Sequence, residues 1–383
     1  MTLKLSRRGK VPAFIAMDVL CEANRRAAAG GDIIHLELGQ PSTPAPQPVL
    51  EAARAALDRE VLGYTDACGL PALRQAIAAH YRDRYGVTVD PARVIATTGS
   101  SAGFILSFLA AFDPGDRVAL ASPAYPAYRN ILLALDLVPV ELPVGPESRY
   151  QVTVEILRAH QEDGIDGLVL ASPANPTGSM LPSEELASVA RYCEKSGIRL
   201  ISDEIYHGVT YGMTAASAAA SSDEAIIISG FSKYFSMTGW RIGWMVAPQP
   251  MLRAVECLAQ SLYISAPSLS QHAALAAFGA RAELDANVAR YAANRDLLLA
   301  ELPKAGIERF APPDGAFYLY ADVSPLTNDS EEFCRRMLKE IGVAATPGVD
   351  FDRARGHATL RLCFAGATEE IEEAARRLKN WKR

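Results

Sequence analysis

One lysine of this chain stands in unusual company. Lys233 lies in Ser229-Gly230-Phe231-Ser232-Lys233-Tyr234-Phe235-Ser236-Met237-Thr238-Gly239-Trp240-Arg241, directly after an apolar run. Small residues precede it, and a Thr-Gly-Trp-Arg turn places Arg241 eight positions later. A lone lysine on a loop is ordinarily a solvated charge. A lysine that forms a Schiff base must instead sit where a carbonyl cofactor can be held beside it. A phosphate on that cofactor needs hydroxyls, backbone N–H groups and a bidentate cation, which Ser232 and Arg241 can supply.

Three more segments carry polar groups at the ends of apolar runs. Thr97-Thr98-Gly99-Ser100-Ser101-Ala102-Gly103 joins a strand pattern to a helix pattern. A helix start built from small residues offers free N–H groups and a positive dipole end to an anion, although Ser after Gly is also ordinary capping. It lacks the lysine of a P-loop and the spacing of a dinucleotide fingerprint. Ser172-Pro173-Ala174-Asn175-Pro176-Thr177-Gly178 also follows a strand pattern, and by itself is simply a good turn. Ser202-Asp203-Glu204-Ile205-Tyr206 ends another. An acid at the C-terminal end of a parallel strand faces the crevice where open α/β sheets bind ligands. Asp203 would otherwise cap a helix, and Glu204 is expected on the surface.

Short apolar runs at 94–98, 117–121, 168–171, 199–202, 225–229 and 242–246 position these segments. Several are apolar on both faces, as in a parallel sheet covered by helices. Helical patterns lie between them, among them 101–112, stopped by Asp113-Pro114-Gly115, and 183–196, stopped by Gly197. This alternation predicts an α/β domain with right-handed crossovers. The ends read differently. A helical pattern over 12–30 leads to an expected strand at 33–38. A last helix at 368–382 sets Ile371, Ala374, Ala375, Leu378 and Trp381 on one face.

Composition narrows the function classes. The chain has 383 residues, 49% hydrophobic and 21% charged, with 38 Lys+Arg against 44 Asp+Glu for a formal charge of −6. That is ordinary globular usage, neither disordered nor coiled coil. An acidic balance without a basic run argues against a binder of nucleic-acid backbone. No apolar stretch reaches the roughly 18 residues of a membrane span. No apolar core follows the basic residues of 1–12, so no secretion signal is read and a cytoplasmic location is expected. The six cysteines and six histidines show no ligand spacing, so no metal site is expected, and the cysteines are read as reduced and mostly buried.

Taken in order, Gly-Ser-Ser, Asn-Pro-x-Gly, Asp-x-x-Tyr, Gly-x-Ser-Lys (Gly230 to Lys233) and x-x-Gly-x-Arg resemble the pyridoxal-phosphate aminotransferases of class I/II, the aspartate aminotransferase superfamily of fold type I. Tyr64-Thr65-Asp66-Ala67-Cys68-Gly69-Leu70-Pro71-Ala72-Leu73-Arg74, Gly315-Ala316-Phe317-Tyr318 and Thr359-Leu360-Arg361-Leu362-Cys363-Phe364-Ala365 extend the likeness over nearly the whole chain. Any one motif is weak, but eight in order are specific.

The resemblance implies an α/β fold: a mostly parallel seven-stranded sheet in a three-layer αβα large domain, 41–280. A smaller α+β domain would join 1–40 with 281–383. It implies that Lys233 carries pyridoxal 5'-phosphate as a Schiff base and shuttles the substrate proton. Asp203 would pair with the pyridine nitrogen, Asn175 and Tyr206 with the phenolic oxygen, and Tyr125 would stack on the ring. Ser100, Ser101, Ser232 and Arg241 would hold the phosphate, with Tyr64 reaching over from the second subunit of a homodimer. Arg361 would clamp the substrate carboxylate, assisted by the Gly39 backbone and beside Asn175. Phe14, Leu38 and Tyr263 are candidates for the side-chain pocket.

Three positions depart from the family pattern. Gly230 replaces a common Ser or Thr, Ser265-Ala266-Pro267 replaces Ser-Asn-Pro, and Ser101 stands where one aspartate-specific branch has a lysine. The expected activity is ping-pong transamination between an L-amino acid and a 2-oxo acid. A C–S β-lyase or related synthase on the same fold is the alternative, although the longer Asn-Pro-His-Asn-Pro run of such lyases is missing. A ligand-sensing regulator would carry a winged-helix domain ahead of this pattern. A nucleotide-binding protein would leave Lys233 and Arg361 unexplained.

Overall fold

The protein is described here by a computed structural model covering residues 3–382. Seven strands form its main sheet: β1 (Val94–Thr97), β2 (Arg117–Ser122), β3 (Val138–Pro143), β4 (Gly167–Ala171), β5 (Arg199–Asp203), β6 (Ile226–Gly230) and β7 (Gly243–Val246). Their spatial order is β1-β7-β6-β5-β4-β2-β3. Four neighbouring pairs are parallel, and β7 runs antiparallel to both β6 and β1. The expected mostly parallel sheet is thus a mixed one with a single reversed strand. The sequence pattern leaves β3 unassigned because Pro139 and Pro143 interrupt it. Proline is tolerated there because β3 lies at the edge, where fewer N–H donors are required.

Alternation along the central strands divides the core in two. Val169, Ile201, Ile226 and Ile228 face one apolar cluster, shared with Phe104, Leu106 and Phe108 of the helix Gly99–Ala111 and Leu132 of the helix Pro126–Ala134. Leu168, Leu170, Leu200 and Ile227 face the other, shared with Leu73 and Ile77 of Pro71–Tyr85 and Leu186 and Val189 of Ser183–Ser196. Helices on both faces explain why these strands read as unbroken apolar runs.

The second cluster continues into the C-terminal part through Phe317, Leu319 and Leu360. There an antiparallel sheet runs in the order Thr346–Pro347, Thr359–Cys363, Tyr318–Asp322, Arg309–Phe310. The N-terminal segment packs against it: Ile34–His35 pairs in parallel with Val343–Ala344, and Asp350 accepts from the backbone N–H groups of Ile15 and Ala16 at 3.0 Å each. The strand expected over 33–38 is only two residues long. Its ladder stops because the Glu37 carbonyl is taken by side chains, the Thr346 hydroxyl and the Arg361 guanidinium.

Two further expectations need correction. Glu204 is buried, only 2% exposed. The cysteines are free, but only Cys193, Cys334 and Cys363 are buried, while Cys21 and Cys257 are exposed. Among the described residues no helix is long and apolar enough to cross a membrane.

The Phe104–Phe108–Phe112 row, whose rings meet at tilted angles, packs the helix that begins at Gly99 against the sheet. Phe108 is fully buried. Phe108→Ala is expected to cost about 3–5 kcal/mol in urea unfolding; a loss under about 1 kcal/mol would contradict this packing.

Candidate active site

The polar residues singled out in the sequence converge where strands of the main sheet end. Asp203 closes β5, and 172–178 follows β4. β6 and β7 form a hairpin whose last paired residues are Gly230 and Gly243, with Lys233 and Arg241 in the loop between them. A Cβ on Gly243 would lie 2.9 Å from the Ser100 nitrogen, so this hairpin sits directly against the start of the helix Gly99–Ala111. Gly99 itself adopts φ +74°, and a Cβ there would meet Arg241 Nη2 at 2.5 Å. The close approach of guanidinium and helix start therefore requires glycine. Arg241 is anchored by donating to the Thr238 carbonyl at 2.9 Å, and Thr238 in turn donates to the Ser232 carbonyl. Ser232 is buried, Ser100 half-buried and Ser101 exposed. Free N–H groups, hydroxyls and a guanidinium make this end of the site a seat for a dianion.

The same packing accounts for Gly230. A Cβ there would lie 3.0 Å from the Gly243 Cα and 3.2 Å from Ile205 Cδ1. A side chain here would press on the hairpin, whose neighbouring atoms would have to give by a few tenths of an ångström.

Lys233 Nζ donates to the Gly39 carbonyl at 2.6 Å and lies 5.8 and 5.9 Å from the Tyr206 and Phe317 rings. The residue keeps some accessible surface, as at the floor of a cleft, while protein atoms crowd its amine. Burial, reinforced by Arg361 and Arg241, pulls its pKa down to about 8. Asp203 is buried and receives hydrogen bonds from the Tyr128 hydroxyl and from the Ile205 N–H at 3.0 Å. Burial pushes its carboxyl up to about 6, against the pull of those two donors and of Lys233. A carboxylate poised this way is suited to a cationic ring nitrogen, which would return it to the charged form.

Arg361 is buried between two rings, with its guanidinium carbon 4.4 Å from the Tyr318 centroid and 4.7 Å from that of Phe351. It donates to Asn175 Oδ1 at 2.8 Å, to Thr346 Oγ1 at 3.3 Å and to the Glu37 carbonyl, and its Nε has no partner. These partners are all neutral, so the guanidinium keeps its full charge for an incoming carboxylate. Gly39 closes tightly over this region, since a Cβ would fall 1.7 Å from the Tyr318 hydroxyl oxygen. Tyr206 and Tyr318 share a 2.6 Å hydroxyl contact. The Tyr125 ring meets Phe14 edge-on at 5.6 Å and Tyr128 at 5.3 Å.

Two sequence candidates lie elsewhere. Tyr64 is 83% exposed, on a loop held by Gln271, which donates to Thr65 Oγ1 and the Ala266 carbonyl and accepts from the Leu70 N–H. Tyr263 packs on the cluster that holds Phe104 and Cys68, its hydroxyl buried without a partner. Conversely, sequence reading misses Tyr128, Thr346, Phe351 and the Glu37 carbonyl. Only Tyr128 had a signal: it lies three residues beyond Tyr125, one helical turn on.

Comparison with known proteins follows this geometry. The model of the family "Aminotransferase class I and II" matches residues 31–378. The chain belongs to this aminotransferase family. It is 52% identical over 385 residues, covering 100% of this chain and 99% of the relative, to a valine–pyruvate aminotransferase of Mycobacterium tuberculosis. It is 34% identical over 381 residues, 97% of each chain, to an aspartate/prephenate aminotransferase of Thermus thermophilus. Among solved structures, an aminotransferase from M. tuberculosis superposes with a TM-score of 0.97 at 52% identity, covering 99% of both chains. The T. thermophilus aspartate aminotransferase with maleate gives 0.93 at 32% identity, again over 99% of both. The protein is therefore a pyridoxal-phosphate-dependent aminotransferase of fold type I, a transferase whose substrates are amino acids and 2-oxo acids.

The lowered lysine pKa has a direct readout. The neutral amine is the reactive form and here appears above about pH 8, not 10.5. In cofactor-stripped aminotransferase, reductive methylation of Lys233 followed by mass spectrometry should be half-maximal near pH 8. A profile matching ordinary surface lysines would refute the burial argument.

Proposed function

We propose that this aminotransferase exchanges an amino group between an apolar L-amino acid of the valine type and a small 2-oxo acid such as pyruvate. The observation that carries this reading is the site's wall: Phe14 packs edge-on against Tyr125, and Ser101 offers no charge to a second carboxylate. The 52% identical relative named for valine and pyruvate supports the same choice.

The residues fit pyridoxal phosphate. Gly99 leaves space beside Arg241 that any side chain would fill, at a helix start suited to phosphate. Ser100, Ser101, Ser232 and Arg241 would hold that group. Asp203 would hold the ring nitrogen in its protonated form, with Tyr128 steadying the carboxylate. Asn175 and Tyr206 would bond the phenolic oxygen, and Tyr125 would cover the ring face. When bound, the cofactor supplies an electron sink for the pair left on the substrate α-carbon.

Lys233 is the base in this reading. Its lowered pKa leaves a usable neutral fraction near pH 7–8, so it can take the substrate α-proton and pass it on to the cofactor side of the bond that joins the two, rather than back to the α-carbon. Arg361 would grip the substrate carboxylate through its fork, exchanging part of its bonding to Asn175 for it. The Gly39 carbonyl holds the Lys233 amine whenever it is not joined to the cofactor. Ping-pong kinetics follow because one site serves donor and acceptor in turn.

The proposed dimer rests on Tyr64. Beside it lie Val61, Leu262 and Ile264, all exposed, and the Thr65 N–H is 3.4 Å from the Ser265 hydroxyl, which ties the two loops into one apolar patch. Tyr64 would cross to the phosphate of a second copy. We also propose a division into a cofactor domain over 41–280 and a smaller domain from 1–40 and 281–383, and a cytoplasmic location, in keeping with six free cysteines.

An amino-donor panel against pyruvate and 2-oxoglutarate should give valine-type donors with pyruvate the highest kcat/KM. Preference for aspartate with 2-oxoglutarate would overturn the substrate assignment. Lys233→Ala should lose the visible cofactor band and at least about 10³-fold in kcat. In sedimentation the active species should be a dimer, and Tyr64→Ala should weaken cofactor retention on the order of tenfold; a fully active monomer contradicts the shared site.

A further inference from the structure

Behind the site lies a buried polar chain that the proposed chemistry does not use. Glu204 Oε1 accepts from the Ala218 N–H at 2.8 Å, the Ser217 hydroxyl at 3.0 Å and the Ser202 hydroxyl at 3.2 Å. Its Oε2 has no hydrogen-bond donor and lies 3.5 Å from His207 Nδ1. His207 Nε2 is 3.0 Å from the Ser172 carbonyl, and His207 Nδ1 is 2.8 Å from the Tyr85 hydroxyl.

These contacts fix the tautomer. A carbonyl only accepts, so Nε2 carries the proton and donates it to Ser172. Burial keeps the ring neutral, pulling the His207 pKa down to about 3. Nδ1 is then the bare acceptor and Tyr85 donates to it. The contact with Glu204, whose carboxyl burial pushes up to about 7, is therefore not an ion pair.

What the imidazole holds is the root of the Asn175 turn. The Ser172 N–H reaches back to the Asp203 carbonyl at 3.4 Å, and its hydroxyl accepts from the Leu181 N–H at 3.0 Å. The turn is closed internally by Gly178 N–H to Ala174 O at 2.8 Å and Ala174 N–H to Ser179 O at 3.0 Å. Gln151 pins its far end, donating to the carbonyls of Ser179 at 2.8 Å and Ala171 at 3.3 Å. His207 itself is tied to the Asp203 strand end, because its N–H donates to the Glu204 carbonyl at 3.0 Å. One ring thus connects the segment bearing Asp203 to the turn bearing Asn175.

We propose that His207 is a positioning residue for transamination: oriented by Tyr85 and seated beside Glu204, it sets the separation between Asn175 and Asp203 and so the grip on the two ends of the cofactor ring. This rests on the assignment of those two residues to the cofactor. His207 touches neither substrate nor cofactor and acts only through the Ser172 carbonyl.

The test compares His207→Phe, His207→Gln and Tyr85→Phe in the full chain. Each is read by titrating cofactor-stripped protein with pyridoxal phosphate, and by the visible absorption of the loaded protein at one fixed pH. His207→Phe should weaken cofactor binding on the order of tenfold and shift the band. His207→Gln, whose amide N–H can still reach Ser172, should restore most of both. Tyr85→Phe, which keeps the ring's shape, should show smaller changes in the same direction. It carries the test if His207→Phe does not fold. Wild-type band and affinity in His207→Phe, whatever its melting temperature, overturn the proposal, as does a Gln variant no better than Phe. A wild-type protein with no visible band would instead overturn the cofactor assignments themselves.

Discussion

The site depends on charges that are not spent on one another, three of them drawn out of water and the fourth, Arg241, exposed. Lys233 is held by a carbonyl, Asp203 by a phenol and an N–H, Arg361 by an amide, a hydroxyl and a carbonyl, and Arg241 by a carbonyl. None of the four is in an ion pair among the described residues. Direct pairing would have been the simpler way to bury them, because opposite charges offset each other's desolvation. Neutral dipoles offset less of that cost, which is why the amine and the carboxyl are both displaced toward their uncharged forms. The reward is that each charge remains open to a ligand of opposite sign.

The sheet makes this arrangement affordable in geometric terms. Parallel strands deliver Asp203 and the Asn175 turn to the same edge, while the reversed β7 returns the chain so that Arg241 stands beside the helix start at Gly99. Glycine does the close work: Gly99 against Arg241, Gly39 against Tyr318, Gly230 against Gly243. Each is a point where backbone replaces side chain so that two functional groups can approach.

Much of this was legible in the sequence, and what was legible has a common physical character. Lys233, Asp203, Asn175 and Arg361 sit in short segments whose local spacing is set by one turn or one strand end, so spacing along the chain reports spacing in space. The central strands were readable because burial on both faces leaves unbroken apolar runs. Tyr128 was partly hidden, since a buried tyrosine in a helix reads as core. Glu204 and His207 were hidden altogether, as a carboxylate and an imidazole look like surface unless the donors that meet them are known. Those donors come from other segments, Ser217 thirteen residues after Glu204 and Tyr85 more than a hundred before His207. The edge strand β3 was missed because prolines break its pattern, while the strand near Ile34 was read too long because a committed carbonyl ends its ladder early.

The guanidinium of Arg361 is closed from below by the Glu37 carbonyl, so the two ends of the polypeptide meet at this buried cation. Synthesis proceeds from the N-terminus, and domains fold as they emerge. The main sheet is therefore complete while the strand Thr359–Cys363 has yet to be made. A chain released early would hold Lys233 and Asp203 but lack Arg361, and it would also lack Phe317, Leu319 and Leu360 from the core they share with the main sheet. The last strand to be made thus completes the apolar core and the set of charges together.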